Sequence, residues 1–378
     1  MGAAAVVTVW LLVAYGSSNV ARVLSFDMGW HADFDTFHRS VIALLHGDSI
    51  YDTGARMTNL NPPFWTVVLV PFGLVKPLTA YWLFGVLTAG LVVGAGLLVA
   101  RELGVSGWTK ALVSAAFLAS SPLMGTVALG QVYGVLVMGL ALAWVAHRRG
   151  KPVLAGIALG LVIAIKPTLV PILLLPVVQR QWRTVLAAVG GAVAATLVGL
   201  VVAGPHTTWR WLQVLRIEPL STFGDNASLP SFVARLGGPA WLGYAVAGVL
   251  VVLTLRRVRH DPDIALWAVT AATLLLSPVA WHNYLVLCFP GVFVVLSRRR
   301  IATATLLLAL PLIGVEWGLH LWHGHSVVDR LAQSLYCFVL LTYWYALAVQ
   351  HDGDDPGQVC EPGDLGRAEH RAAGTADQ

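Results

Sequence analysis

Tyr81–Ala100, YWLFGVLTAGLVVGAGLLVA, is a run of 20 residues without a charge. A helix of that length covers about 30 Å, the thickness of a bilayer's hydrocarbon core. Working outward, apolar runs recur at Ala3–Val20, Ala111–Ser120, Leu123–Ala146, 153–178 and Val185–Ala203, then near 240–255, 264–280, 283–297, 302–316 and 331–349. Of the 378 residues 57% are hydrophobic and 11% are Asp, Glu, Lys or Arg. Soluble domains sit at roughly 45–50% apolar, and the mean hydropathy here is +0.74. In lipid every backbone N–H and C=O must be paired within its own segment, so the expected fold is all-α. It is a polytopic helical bundle with about 10–12 crossings, judged by helix length.

The net charge of +5 is no nucleic-acid footprint, because the basic residues fall in short clusters between apolar runs. Arg148/Arg149/Lys151, Arg180/Arg183, Arg256/Arg257/Arg259 and Arg298–Arg300 are such clusters, and the positive-inside rule places them in the cytoplasm. Counting back puts Gln131, Lys166, residues 204–238, Trp281-His282 and residues 317–330 on the outer face. The excursion 22–63, with five Asp against Arg22, Arg39 and Arg56, lies there too. Phe64–Val75 must then be a re-entrant or half-helix, since a full crossing would carry Arg101 outside. Ala3–Val20 lacks a basic n-region and a cleavage site, so it is expected to be a retained anchor. Residues 1–350 are expected to form one integral membrane domain, and the tail from His351, rich in Asp, Gly and Ala, a disordered cytoplasmic extension. Cys288, Cys337 and Cys360 have neither disulfide nor zinc spacing. Acidic residues suffice for one divalent ion, but no ligand spacing demands a metal, and the sequence requires no cofactor.

Within the first excursion, Phe34, Phe37, Val41, Leu44 and Leu45 mark one apolar face of a helix lying at the membrane surface, stopped by Gly47. Asp35 has His38 and Arg39 three and four residues on, the spacing of an intrahelical pair on a solvated polar face. Asp33 points to another face and has no cation at those positions. It is either the helix N-cap or a functional carboxylate. Asn61-Pro62-Pro63-Phe64 is a rigid entry to the next segment that sets Asn61 beside this loop.

Ionisable groups at membrane depth are costly and mark function by default. Lys166, in Ile163-Ala-Ile-Lys-Pro-Thr168, is either a lysine reaching the outer interface or an ammonium facing a cavity, where it could bind a phosphate. Ser277-Pro-Val-Ala-Trp-His-Asn-Tyr284 ends a helix at a Pro and sets Trp281 and His282 at its outer mouth, as an aromatic belt or as a ligand site. Gly130-Gln131-Val132-Tyr133 places an amide and a phenol at the same level, for helix–helix bonding or for substrate.

The chain resembles glycosyltransferase family 87 from about residue 25 to 345. The likeness rests on Asp33-Phe-Asp-Thr-Phe37, Leu44-Leu-His-Gly-Asp-Ser-Ile-Tyr51, Pro62-Pro-Phe64, Gly130-Gln-Val132, Ala155-Gly-Ile-Ala-Leu-Gly160 with Lys166-Pro167, Arg180-Gln-Trp-Arg183 and Ser277-Pro-Val-Ala-Trp-His282. The resemblance implies a GT-C-type helical bundle with outer-face interfacial helices. It implies transfer of a sugar, mannose first, from a polyprenyl phosphate donor to a glycolipid or lipoglycan acceptor on the outer face of the cell membrane. By position, Asp33 matches the family's catalytic aspartate and His282 its late histidine; Asp35 falls where the family varies. Asn61 stands where an aromatic is more usual.

Inverting transfer needs one carboxylate to deprotonate the acceptor hydroxyl and cationic groups to stabilise the departing phosphate. A second carboxylate is unnecessary, unlike in glycoside hydrolysis. Asp33 is the expected base, with Lys166 and His282 on the donor phosphate and Asp35, Asn61, Gln131, Tyr133 and Trp281 as further substrate contacts. Decaprenyl phosphoarabinofuranose is an alternative donor. A lipid or sugar transporter is an alternative of another class, which should show an internal repeat and midplane charges. The sequence has no such repeat.

Overall fold

The computed structural model describes residues 20–217, 220–314 and 324–349. The expected anchor at Ala3–Val20, nearly all of it, and the expected tail from His351 lie outside these residues, as do residues 317–323 of the expected outer segment 317–330.

The described chain is helical, with no strand and one isolated antiparallel bridge between Asn226 and Trp281. Three helices are long and apolar enough to cross a membrane: Pro77–Glu102, Trp182–Ala203 and Ala240–Val258. Two further candidates are bent pairs, Gly107–Ala119 with Ser121–Leu129 (56°) and Val327–Gln333 with Leu335–Ala348 (54°). Shorter apolar helices of 10–17 residues complete the bundle. This is a multi-pass membrane protein.

Local sequence sets the breaks. Ser120 ends one helix and caps the next, its Oγ accepting the Leu123 N–H. Gly130 then stops Ser121–Leu129 in the left-handed region at φ +72°, before Tyr133–Arg148 begins. The expected single run Leu123–Ala146 is thus two helices. Lys166-Pro167 ends Pro152–Ile165 because proline's ring and missing N–H exclude it from a helix interior, and a 3-10 turn over Pro167–Leu173 follows. Pro152–Ile165 packs against Trp182–Ala203 through Gly156 and Gly160; a Cβ at either would run into the backbone of Thr184 or Ala188.

One end of the bundle is a network of the basic clusters. Arg149 pairs with Glu102 at 2.7 Å, Arg148 with Asp263 and Arg298 with Asp261 at 2.5 Å, while Gln179 Nε2 donates to Arg259 O at 2.6 Å. The Glu102 pair brings Arg101 to this end. Residues 63–73 accordingly form two short helices, Pro63–Val68 and Val70–Gly73.

The two excursions cover the other end. Ala32–His46 buries Phe34, Phe37 and Val41 and stops at Gly47 (φ +78°), while Leu45 is half-exposed. One alternative falls away and one expectation needs correction. The N-cap is His31 rather than Asp33, since a 3-10 turn over Met28–Trp30, capped by Asp27, delivers the chain two residues earlier. His38 is buried and faces Val75 O at 3.3 Å, because this helix leans on the segment leading into Pro77–Glu102. Pro205–Ile217 joins the first excursion through Arg210–Asp52 (2.9 Å) and a hydrogen bond from Trp211 Nε1 to Leu60 O (3.1 Å).

Candidate active site

His31 fixes the start of the first excursion. Its ring stacks on Tyr81 (3.5 Å between centroids), with Nδ1 2.7 Å from Ala128 O and Nε2 3.1 Å from Ser25 O. Gly130 packs against Phe34, close enough that a Cβ would collide with it. These contacts set Asp33 against the Gly130-Gln131 turn, where the Gln131 amide donates to its carboxylate. Lys166 acts on the same carboxylate through space. The helix break thus leaves the lysine half-buried at the level of the aspartate.

Asp33 lies on the surface helix, outside the spanning segments. Burial pushes its carboxyl up to about 6, against the opposing pull of the Gln131 hydrogen bond and the Lys166 charge. Lys166 Nζ also stands 5.1 Å over the Tyr284 ring, and Tyr284 packs on Tyr133 at 4.3 Å. Tyr133 lies within electrostatic reach of Asp33 on one side and Asp225 on the other.

Asp225 belongs to a second, adjoining group. Its Oδ1 is 2.5 Å from His282 Nδ1 and accepts the His282 backbone N–H at 3.1 Å. His282 is buried, edge-on to Tyr336 at 5.2 Å, and its Nε2 would be 2.7 Å from a Cβ at Gly125. Asn226 stitches the two loops together: its Oδ1 accepts the N–H groups of Ala280 and Ser228, and its Nδ2 donates to Ser221 O and Pro278 O. That pairing holds the second excursion on the Ser277–His282 turn.

Asp33, Gln131, Tyr133 and Lys166 therefore gather at one place, with His282 beside them across Tyr133. Asp35, Asn61 and Trp281 are not brought in. Asp35 pairs with Arg39 at 2.8 Å. Asn61 is buried beside Asn59, whose Oδ1 accepts its backbone N–H. Trp281 lies against Phe223, 6.4 Å between ring centroids. Sequence reasoning missed Asp225, which stands in Gly224-Asp-Asn226, a composition that signals a turn. It also did not single out Tyr284 as the ring under Lys166. Among the described residues no group of three His, Cys, Asp or Glu is placed to hold a metal ion.

A helical membrane bundle that sets the Asp33 carboxylate opposite the Lys166 ammonium at one end has the parts of an enzyme working at a membrane face. The chain belongs to glycosyltransferase family 87, whose family model matches residues 59–278. It is 28% identical over 341 residues, covering 79% of each chain, to the polyprenol-phosphate-mannose-dependent alpha-(1-2)-phosphatidylinositol mannoside mannosyltransferase of Mycobacterium tuberculosis. It is 26% identical over 293 residues to the alpha-(1->3)-arabinofuranosyltransferase of Corynebacterium glutamicum, covering 71% of this chain and 68% of that one. Among solved structures, apo ArnT from Cupriavidus metallidurans overlaps 91% of this chain and 77% of its own, at 19% identity and a TM-score of 0.41.

Proposed function

We propose that the chain is an inverting mannosyltransferase that uses a polyprenyl phosphate donor and a glycolipid or lipoglycan acceptor at the outer membrane face. The observation that carries this reading is Asp33, a single carboxylate bonded to Gln131 and facing Lys166. As general base, Asp33 takes the proton of the acceptor hydroxyl while that oxygen attacks the anomeric carbon; the bond to the donor phosphate breaks on the opposite face. Lys166 offsets the charge developing on the departing phosphate. Gln131 orients the carboxylate, and His282, steadied by Asp225, adds a hydrogen-bond donor on the same side. An apolar cavity of about 210 Å³, lined by Pro62, Phe64, Ile163, Ala164, Pro167 and Trp211, lies along the Lys166-Pro167 break, where the first isoprene units would enter.

The basic network at the opposite end supports the outer orientation. Arabinose is the second candidate sugar, because relatives named for each transfer match at similar identity. Membranes carrying the wild type or Asp33→Asn, supplied with labelled polyprenyl phosphomannose and, separately, decaprenyl phosphoarabinose, test both points. Mannose transfer by the wild type and its loss in Asp33→Asn are expected. Undiminished transfer by the variant removes Asp33 as base, and turnover of arabinose alone removes mannose.

A further inference from the structure

Next to Asp225 in the chain, a cavity of about 660 Å³ opens between residues 220–224, the end of the Leu229–Arg235 helix, Gly324-His325 and the Arg330 and Gln333 side of the Val327–Gln333 helix. Its size falls in the range of small-molecule sites, about 300–1,000 Å³. Two guanidinium groups line it, Arg235 and Arg330, together with His325.

Arg235 is 5% exposed, and all its hydrogen-bond acceptors are neutral: Ser334 Oγ (2.9 Å), Ser231 Oγ (3.5 Å) and the carbonyls of Thr222, Phe223 and Asn226 (3.3, 2.6 and 3.2 Å). Arg330 donates to the Arg235 carbonyl at 2.9 Å. Among the described residues neither arginine forms an ion pair. Of the nearby acids, Asp225 faces His282, and Asp329 accepts the Ser326 N–H and hydroxyl in a capping box. Buried cations are ordinarily matched by an anion, because an unmatched one is costly to remove from water. Here open space adjoins the buried Arg235, which has only the through-space charge of Asp225 near it, and the half-buried Arg330.

The helix carrying Arg330 also turns Val327 and Val328 outward, 68% and 70% exposed. One short element thus offers apolar surface to lipid and a cation to the cavity, as a headgroup site at a bilayer surface requires. The planar guanidinium fork matches phosphate oxygens in pairs. We infer that this cavity binds the phosphate-bearing headgroup of the lipid acceptor, an inference that rests on the transfer reaction proposed above.

The test uses the full chain in nanodiscs, titrated with dihexanoyl phosphatidylinositol, octyl mannoside and inorganic phosphate. Wild type, Arg330→Gln and Arg330→Lys are compared. The phosphate lipid should weaken by about tenfold in Arg330→Gln, the scale of one charge-assisted hydrogen bond. It should recover in Arg330→Lys, while octyl mannoside is unaffected. Equal binding of the phosphate lipid by wild type and Arg330→Gln overturns the inference. So does inorganic phosphate binding as tightly as the lipid. If Arg330→Gln fails to fold, a salt titration of the wild type decides instead, and lipid binding indifferent to ionic strength overturns the inference. Sugar transfer is followed in the same samples. Transfer without discrimination between the two lipids defeats this inference alone. Discrimination without transfer from any donor defeats the proposed reaction and with it the acceptor role of the cavity.

Discussion

Burial raises the Asp33 carboxyl to about 6, so at neutral pH the protein holds it ionised against its surroundings. The folded-state value exceeds the ordinary 3.8, so the folded protein binds this proton more tightly than the unfolded chain does. The contribution to stability is therefore full below about pH 4 and is lost as pH rises through about 6. At one unit per roughly 1.4 kcal/mol the loss is of order 2–3 kcal/mol. Asp33→Asn escapes it, and should melt higher than the wild type at pH 7.5 while losing transfer; a melting point at or below wild type contradicts the buried carboxylate. A base must be ionised to act, so kcat/KM should fall on the acid side with an apparent pKa near 6. Asp225→Asn keeps the size of the side chain but removes the charge held 2.5 Å from His282. Activity about 10- to 100-fold down is expected, the cost of losing an orienting partner. His282→Ala should then add little to Asp225→Asn, because coupled residues are not additive. The double variant measures this directly. Asp33 was legible in the sequence as the one acidic side chain on its helix without a local partner. Its actual partners stand about a hundred residues away, and local periodicity carries no information about such contacts.

Helix by helix, the punctuation was readable where backbone chemistry imposes it. Gly47 and Gly130 end helices in the left-handed region, and Pro167 ends one by lacking a donor. Less was readable where tertiary contact overrides pattern. His38 sits at polar spacing on the surface helix yet is buried, since which face meets the bundle depends on the segment packed behind it. The Gly156/Gly160 pair shows a small-residue interface acting through the backbone: it lets Pro152–Ile165 approach Trp182–Ala203 closely enough to fix the depth of Lys166, six residues beyond Gly160. Gly160→Ala should destabilise the protein by about 1–3 kcal/mol, the usual cost of overpacking. It should also depress transfer by shifting Lys166. Retention of full activity and melting temperature would count against that contact.

At the scale of the whole molecule, charge separates the two ends. Glu102, Arg148, Arg149, Asp261, Asp263 and Arg298 form ion pairs at one of them, while Asp33, Lys166, Asp225 and His282 collect at the other. The orientation assigned to these ends can be checked by cysteine labelling of intact cells, with Cys360→Ser removing the tail thiol and Cys288 and Cys337 already buried. A cysteine at exposed Met57 should react with an impermeant maleimide from outside, and one at Arg299 only after lysis. The reverse pattern would place the site in the cytoplasm. The positive-inside pattern was legible because it depends on composition alone.

The nine-residue helix Ser121–Leu129 touches both halves of the site: Gly125 meets the His282 ring, Ala128 holds His31, and Gly130 at its end seats Phe34 beside Asp33. At 1.5 Å per residue, Gly125 and Gly130 stand about 7–8 Å apart along its axis. This short rod acts as a gauge block between the carboxylate and the imidazole. Each excursion loop can diverge in length or composition to suit a new acceptor without altering that spacing, provided it still docks on its own end of the rod. A single residue inserted within the rod would swing one half of the site by about 100° relative to the other. Loop variation and the spacing of Asp33 from His282 are thereby carried on separate pieces of chain.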